Sequence, residues 1–237
     1  MTAEARDPRT LDAQRILVIA PHPDDETLGC GGLIAILAAL GRRFHFVFVT
    51  DGGASHRNSA TWPRHRLSAE REREASEALE LLGVGDHPRS FLRLADAGMP
   101  APGDDEHVAA LARLTIIAQD FDPDLVLLPW RRDPHRDHRD SWTLTHRALA
   151  EADRHPATLE YAIWLDELGA PEDHPTDAEA ERIIFAIDAA VPAKRAATLA
   201  HRSQATDMID DDPEAFRLTS HTIDRLTGPR ETYWRPL

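Results

Sequence analysis

Short, uninterrupted apolar runs alternate along the chain with longer segments of helical composition. The first run, Arg15 to Ala20, ends at Pro21 and is typical of a strand that is buried on both faces of a parallel sheet. Other segments with the character of strands are Phe44 to Thr50, Leu125 to Leu128 and, more weakly, Leu159 to Leu165 and Ile183 to Ile187. A parallel sheet is therefore the predicted centre of the protein.

Segments of helical composition separate these strands. They are Thr27 to Leu40, Arg64 to Leu82, Glu106 to Gln119, a stretch that begins near Ser141, and Ala193 to His201. The alternation predicts an α/β fold of the doubly wound, Rossmann-like type, with a mostly parallel sheet and helices on both faces. Since the sequence contains no linker or internal repeat, residues 1–237 are expected to form one domain, with a polar leader over residues 1–14.

The charge balance narrows the possible partners. The chain has 27 basic and 41 acidic residues and a formal net charge of −14, which disfavours nucleic acid and anionic membrane surfaces. No apolar run approaches the roughly 18 residues of a membrane helix, and the N-terminal segment lacks the apolar stretch of a secretory signal. Cys30 is the only cysteine, so an internal disulfide is excluded. We therefore expect a cytoplasmic protein that acts on a small molecule, without membrane insertion.

A histidine and three carboxylates follow the first predicted strand. His22, Asp24, Asp25 and Glu26 lie at its carboxyl end, where open α/β sheets bind ligands. Carboxylates this close repel one another unless a cation lies among them, which points to a divalent metal bound by His22 and Asp25, with Asp24 free beside it. The alternative is an acidic helix N-terminus, but that leaves His22 and its flanking prolines unexplained.

A second cluster follows the predicted strand 125–128. His135, Asp137 and His138 supply two imidazoles three residues apart, with a carboxylate between them. In a parallel sheet this segment opens at the same edge as the first cluster. One histidine can then bind the metal while the other stays free, and an aspartate can orient a metal-binding histidine. The alternative is a solvated charged loop, because four arginines surround the cluster.

Two histidines and one carboxylate leave open coordination positions, as in catalytic rather than structural metal sites. This ligand count suits both hydrolysis at zinc and oxygenation at iron(II). His22-Pro23-Asp24 with the distant His138 also has the spacing of iron(II) oxygenases, although these are mostly antiparallel β-barrels and this chain alternates strands with helices. The oxygenase spacing is therefore the weaker signal, and Zn²⁺ and Fe²⁺ both remain candidates from the residues alone.

The motifs resemble those of the PIG-L/LmbE family of zinc-dependent N-acetylglucosaminyl deacetylases. The resemblance rests on His22-Pro23-Asp24-Asp25-Glu26 and His135-x-Asp137-His138 and extends over roughly residues 15–235. Supporting matches are Arg71-x-x-Glu74, Leu82-Gly83-Val84, Asp96-Ala97-Gly98-Met99, Lys194, His201-Arg202-Ser203-Gln204 and Glu231-Thr232-Tyr233. The mycothiol-pathway branch of the family has a tyrosine where this chain has Asp133, so we expect a substrate other than a mycothiol precursor.

The resemblance implies a role for each matching residue. These roles are zinc binding for His22, Asp25 and His138, general base catalysis for Asp24, stabilisation of the oxyanion for His135, and contacts with sugar hydroxyls for Arg71 and Asp96. Asp137 is the candidate for orienting a metal-binding histidine. The tryptophans Trp62, Trp130 and Trp142 are candidates either for stacking on a sugar or for packing in the core.

The expected activity is hydrolysis of an N-acetyl or other N-acyl group on an N-acetylglucosamine-type sugar or conjugate by metal-activated water. Asp24 would take the proton of the attacking water and pass it to the departing amine, while a protonated His135 would stabilise the oxyanion. The alternatives are an amidase for another small N-acyl conjugate, a non-haem iron(II) oxygenase, and a carbohydrate- or metal-binding module without catalysis.

Overall fold

A seven-stranded sheet forms the centre of the computed structural model, which describes residues 4–237. Its strands are β1 Arg15–Ala20, β2 Arg43–Thr50, β3 Arg89–Leu94, β4 Leu125–Pro129, β5 Ala157–Tyr161, β6 Ala180–Ala186 and β7 Arg230–Pro236. Their order in the sheet is β3-β2-β1-β4-β5-β7-β6. Strands β1 to β5 are parallel, and β7 runs antiparallel to both of its neighbours. The predicted α/β fold with a mostly parallel sheet is confirmed.

Helices cover both faces of this sheet. They are α1 Asp25–Ala39, α2 Arg64–Leu81, α3 Asp105–Phe121, α4 Arg136–Glu151, α5 Leu165–Leu168, α6 Val191–Ala200, α7 Arg202–Ala205 and α8 Ser220–Leu226. Along β1, Ile16 and Val18 pack in the core beneath α1, α2 and α6, whereas Leu17 and Ile19 pack beneath α3 and α4. This alternation explains the uninterrupted apolar run, because both faces of the strand are buried. Within residues 4–237, no helix has the length and apolar character to cross a bilayer.

Several elements differ from the sequence-based prediction. Strands β3 and β7 were not predicted, β5 spans 157–161 instead of 159–165, and α4 begins at Arg136 rather than near Ser141. The early start of α4 is the difference that matters for function. His135 is the N-cap of this helix, and Asp137 and His138 lie in its first turn. The second cluster is therefore held by a helix and does not lie on a solvated loop.

The order of the strands places the two clusters together. β1 lies between β2 and β4, so the chain proceeds from β1 towards one edge of the sheet and later adds β4 on the other side. The pairing of Val18 with Leu127 brings the carboxyl ends of β1 and β4 to the same edge. The segments that follow these strands diverge there and leave a crevice, which is where open α/β sheets bind ligands.

A close contact fixes α1 against the sheet beside this crevice. A Cβ atom added to Gly29 would lie 2.3 Å from Cδ2 of the Tyr161 ring. Tyr161 cannot easily move away, because it is buried and its hydroxyl donates to the carbonyl oxygen of Ile19 at 2.7 Å. Gly29 is thus needed for the packing of helix on sheet.

We therefore expect Gly29→Ala to lower the free energy of unfolding by about 1–3 kcal/mol, the usual cost of overpacking. Urea denaturation measures this loss. Gly228→Ala is the matched control, because the nearest atom to its added Cβ would lie 3.5 Å away, an ordinary contact. Equal losses in the two variants would contradict this account of the packing.

Candidate metal centre and catalytic pocket

The segments after β1 and β4 border a pocket of about 330 Å³. The predicted site residues that line it are His22, Asp24, Asp25, Arg71, Asp96 and His135. The other two predicted residues, Asp137 and His138, are buried and contact members of this group. The structure therefore brings all eight predicted site residues together.

Asp25 lies between the two histidines that the resemblance assigns to zinc. Its Oδ2 atom is 3.2 Å from Nδ1 of His22 and 3.3 Å from Nε2 of His138. In a tetrahedral zinc site with bonds of 2.0–2.2 Å, neighbouring ligand atoms are about 3.3 Å apart. Among residues 4–237, the ring nitrogens of His138 have no partner with the alignment of a hydrogen bond. The donor set of two imidazoles and one carboxylate thus fits a divalent metal such as zinc.

The opposite nitrogen of His22 faces two further carboxylates. Nε2 of His22 is 3.1 Å from Oδ2 of Asp137 and 3.2 Å from Oδ1 of Asp96. Both aspartates are also fixed by backbone N–H donors, since the N–H of Ala97 donates to Asp137 at 2.7 Å and that of Ala54 donates to Asp96 at 2.8 Å. His22, Asp96 and Asp137 form one group of side chains that could hold a metal, and His22, His135 and His138 form another.

The carboxylates make this pocket favourable for positive charge. Burial lowers the pKa of His22, but the neighbouring Asp137, Asp25 and Asp96 outweigh that effect and raise the pKa well above its usual value. Burial likewise lowers the pKa of His138, but its flanking carboxylates raise it to about 9. The cluster therefore stabilises a cation at this position, whether the cation is a bound proton or a metal ion.

Asp24 adopts a backbone conformation that is unusual for a residue with a side chain. Its φ angle is +148°, in a region where a non-glycine residue costs about 1–3 kcal/mol. The buried carboxylate of Glu26 accepts the Asp24 N–H at 3.0 Å and lies 3.3 Å from Nε2 of His201. Nη2 of Arg71 lies 3.0 Å from Oδ2 of Asp24 and also donates to the carbonyl oxygen of Pro23 at 2.8 Å. Glu26 and Arg71 thus hold Asp24 in its strained conformation at the pocket.

The environment of Asp24 also changes its acidity. Burial raises the pKa of the Asp24 carboxyl group, the positive charge of Arg71 opposes this, and the result is a pKa of about 6. A carboxyl group with a pKa near neutrality can accept a proton in one step and return it in the next. Asp25 differs: burial raises its pKa, but the histidines beside it lower the pKa well below its usual value.

His135 is held in one tautomer by the start of α4. Its Nδ1 atom accepts the backbone N–H of Asp137 at 3.2 Å. Burial and the neighbouring imidazoles of His22 and His138 lower the pKa of His135 to about 4. The imidazole is therefore neutral near pH 7, and its proton is on Nε2.

Asp133 contributes to the site in a way that the sequence analysis missed. It is fully buried, and its Oδ1 lies 3.3 Å from Nδ1 of His138 while accepting the N–H of His135 at 3.0 Å. Its Oδ2 accepts the N–H groups of Ile163 at 3.1 Å and Trp164 at 3.2 Å. The only signal in the sequence was an aspartate two residues before His135, which we considered solely as a departure from a tyrosine.

The pocket also contains two aromatic side chains and an amide to which the sequence analysis assigned no role. Trp130 is buried beside Trp234 and belongs to the core, whereas Trp164 lines the pocket together with Phe216. Gln204 is buried, lines the pocket, and its Oε1 has no hydrogen-bond partner within the described part of the chain, 4–237. Gln204 thus has a buried acceptor without a partner among these residues, whereas the sequence marked this residue only as a supporting match to the family.

Comparison with known proteins identifies the family. The model of a family described as PIG-L, GlcNAc-PI de-N-acetylase, matches residues 17–152. A 1D-myo-inositol 2-acetamido-2-deoxy-alpha-D-glucopyranoside deacetylase of Mycobacteroides abscessus is 31% identical over 250 residues, covering 89% of this chain and 88% of the relative. The chain belongs to the PIG-L family. It is therefore an N-deacetylase, an amide hydrolase, and the predicted family is confirmed.

Other proteins similar to this chain carry names with different substrates. A 2'-N-acetylparomamine deacetylase of Streptomyces fradiae is 33% identical over 157 residues, which cover 58% of this chain and 52% of that protein. The solved structure of N,N'-diacetylchitobiose deacetylase from Pyrococcus horikoshii with its inhibitor superimposes with a TM-score of 0.67. It has 26% identity and covers 86% of this chain and 75% of that one. Membership of a deacetylase family and the parallel sheet exclude the iron(II) oxygenase alternative.

Proposed function

We propose that this PIG-L protein hydrolyses the N-acetyl group of an N-acetylglucosamine-type sugar or sugar conjugate, with zinc bound by His22, Asp25 and His138. The observation that carries the proposal is the position of Asp25 Oδ2, within 3.3 Å of a nitrogen of both histidines. Asp24, beside it, pairs with Arg71 instead and remains available as a base. The names of the three relatives, all deacetylases, support the substrate class.

Asp24 is the proposed general base and acid. A divalent metal in the site supplies a Lewis acid that acidifies water and polarises a carbonyl group. Asp24 accepts a proton from the water that attacks the acetamide carbon, and it later gives this proton to the departing nitrogen. The C–N bond breaks, and the products are acetate and the free amino sugar. A pKa of about 6 allows the carboxyl group of Asp24 to serve in both steps.

His135 is the proposed donor to the oxyanion. Because Nδ1 already accepts the N–H of Asp137, the proton on Nε2 is free to donate to the oxygen that becomes negative in the transition state. This role differs in one respect from the sequence-based expectation of a protonated His135. A pKa of about 4 favours a neutral donor, which stabilises the oxyanion through a hydrogen bond without a positive charge.

Three buried aspartates are proposed to orient the metal-binding histidines. Oδ2 of Asp137 accepts from Nε2 of His22 at 3.1 Å and Oδ1 of Asp96 lies 3.2 Å from the same nitrogen, which leaves Nδ1 for the metal. Oδ1 of Asp133 lies 3.3 Å from Nδ1 of His138, without the alignment of a hydrogen bond, and is proposed to orient that ring when Nε2 holds the metal. This arrangement favours the set of two histidines and Asp25 over the alternative set around Nε2 of His22.

Arg71 and Asp96 are proposed to contact the sugar, as the resemblance implies, since both line the pocket. Arg71 has an additional task, because its guanidinium group donates to Gly52 and Pro23 and pairs with Asp24. It therefore orients the general base. Gln204 also lines the pocket, where its amide is a further candidate for a polar contact with the sugar.

An assay of acetate release from N-acetylglucosamine and its glycosides tests the proposal. Protein prepared with zinc or with iron(II) is expected to release one acetate for each free amine formed, and elemental analysis is expected to find one metal ion per chain. The matched control substrate is the corresponding glucoside, which has no amide and should release nothing. If metal-loaded protein releases no acetate from any of these N-acetylated sugars, the proposed substrate class is wrong.

A further inference from the structure

We propose that the substrate carries an apolar substituent on its amino sugar and that Trp164, Leu168 and Phe216, here called the apolar wall, bind this substituent. The inference rests on the proposed function, because it concerns the part of the same substrate that lies outside the acetamido sugar. It follows from the way in which polar and apolar side chains are separated within the pocket.

The three carboxylates of the pocket are buried, whereas two members of the apolar wall are exposed and Trp164 is half-buried. The exposed Arg57 also lines the pocket. Asp24, Asp25 and Asp96 have relative exposures of 5%, 2% and 8%, whereas Leu168 is 68% exposed and Phe216 is 42% exposed. Adjacent exposed apolar side chains beside a polar site are a mark of ligand binding. A ligand that satisfies both parts of the pocket has a polar acetamido sugar at one end and an apolar group at the other.

Two members of the apolar wall are fixed relative to the catalytic residues. The rings of Trp164 and Phe216 pack edge to face, with centroids 5.4 Å apart and an angle of 90°. The backbone N–H of Trp164 donates to Asp133, which also contacts His138, and the N–H of Phe216 donates to the carbonyl oxygen of Ser55 at 3.0 Å. Their position is therefore coupled to the segments that follow β2 and β4.

Leu168 is held in place indirectly by α8. It ends α5, a single turn that would not be stable alone. Its neighbour Glu167 accepts from Nη2 of Arg225 at 2.8 Å and from the hydroxyl of Thr222 at 3.2 Å, and Arg225 also donates to the carbonyl oxygen of Ile163 at 2.8 Å. These bonds place Leu168 at the pocket before any ligand binds, which reduces the entropy cost of binding.

A comparison of two glycosides tests the apolar wall. Methyl and phenyl glycosides of N-acetylglucosamine, each in both anomeric forms, are assayed with the zinc-loaded protein. We expect kcat/KM to be about tenfold higher or more for the phenyl glycoside in at least one anomeric series, because apolar groups in a pocket discriminate by about 10–200-fold. The double variant Leu168→Ser/Phe216→Ser should lower the phenyl-to-methyl ratio about tenfold.

Leu199→Ser is the matched control, because Leu199 is 42% exposed on α6 and does not line the pocket. It should leave the ratio unchanged. A ratio near one in both anomeric series of the wild-type protein, or a ratio that the double variant does not change, overturns the proposal. If the double variant instead changes the molar mass in solution and not the ratio, the wall contacts a second copy of the chain, and the proposal is also wrong.

A binding measurement separates this inference from the proposed function. If neither glycoside releases acetate, the proposed function fails. Calorimetric titration of the same protein then tests whether the apolar wall binds the substituent. Binding of the phenyl glycoside that is at least about tenfold tighter than that of the methyl glycoside, and that the double variant abolishes, supports the inference. Equal affinities, or no binding of either glycoside, overturn it.

Discussion

Replacement of Asp24 by asparagine is expected to lower the rate of acetate release by a factor of about 10²–10⁴, the usual contribution of a general acid–base group. Asparagine has nearly the same shape, and the backbone N–H of residue 24 can still donate to Glu26. The amide cannot accept and return a proton near neutral pH, however, and we expect only the proton transfer to be lost. The measurements are kcat, zinc content per chain and circular dichroism.

The same substitution one residue later is the control for this prediction. Asp25→Asn removes the negative charge that lies between His22 and His138, so this variant is expected to lose both the metal and the activity. The two variants differ only in which of two adjacent carboxylates is neutralised. Loss of zinc from Asp24→Asn together with retention by Asp25→Asn would mean that the two aspartates have exchanged roles in our account.

The central part of the fold was predictable because its strands are buried on both faces. The segment 16–20 has a relative exposure near zero at every position, so its sequence is apolar without interruption. Strand β3 gave no such signal, since most of its residues are only half-buried and the strand lies at the edge of the sheet. Strand β7 alternates buried Glu231 and Tyr233 with more exposed residues. Because one of its two buried residues is a glutamate, the segment lacks the apolar alternation that indicates a strand.

The predicted site residues came from two motifs whose chemistry is visible within a few positions. The role of Asp133 could not be predicted in the same way, because its partners Ile163 and Trp164 follow β5 and reach Asp133 only in the folded chain. Trp164 was missed for a similar reason, since it lies 26 residues beyond His138 and carries no motif. Long-range contacts of this kind depend on the register of the strands, which local sequence patterns do not specify.

The start of α4 illustrates a conflict between local pattern and function. Its first turn contains Arg136, Asp137 and His138, and the apolar spacing that reveals a helix begins only later, with Leu144 and Ala148. Arg136 is exposed, and Asp137 and His138 contact His22 and Asp25 instead of the hydrophobic core. The helix was therefore predicted to start five residues too late, because its first turn carries polar residues of the site where apolar residues at helical spacing would have indicated a helix.

Removal of the metal is expected to abolish acetate release and to lower Tm without unfolding the protein at room temperature. Zinc at about 1,000 times its Kd would stabilise the folded state by about 4 kcal/mol. For a chain of this length, that corresponds to a shift in Tm of about 8–16 °C. The metal-free chain should stay folded, because the raised pKa values of His22 and His138 allow bound protons to offset the buried carboxylates.

Two substitutions on the same helix show whether this effect comes from the proposed site. His138→Gln removes a proposed ligand, so its Tm should be insensitive to zinc and to a chelator such as dipicolinate. His146→Gln lies two turns later on α4, where the imidazole packs on Trp142 with ring centroids 4.1 Å apart, and it should keep the full response of the wild-type protein. If the two variants respond alike, whether both shift or neither does, zinc binds elsewhere. In that case Asp25, His22 and His138 would be a network of buried ion pairs whose proximity stabilises the fold but does not activate water.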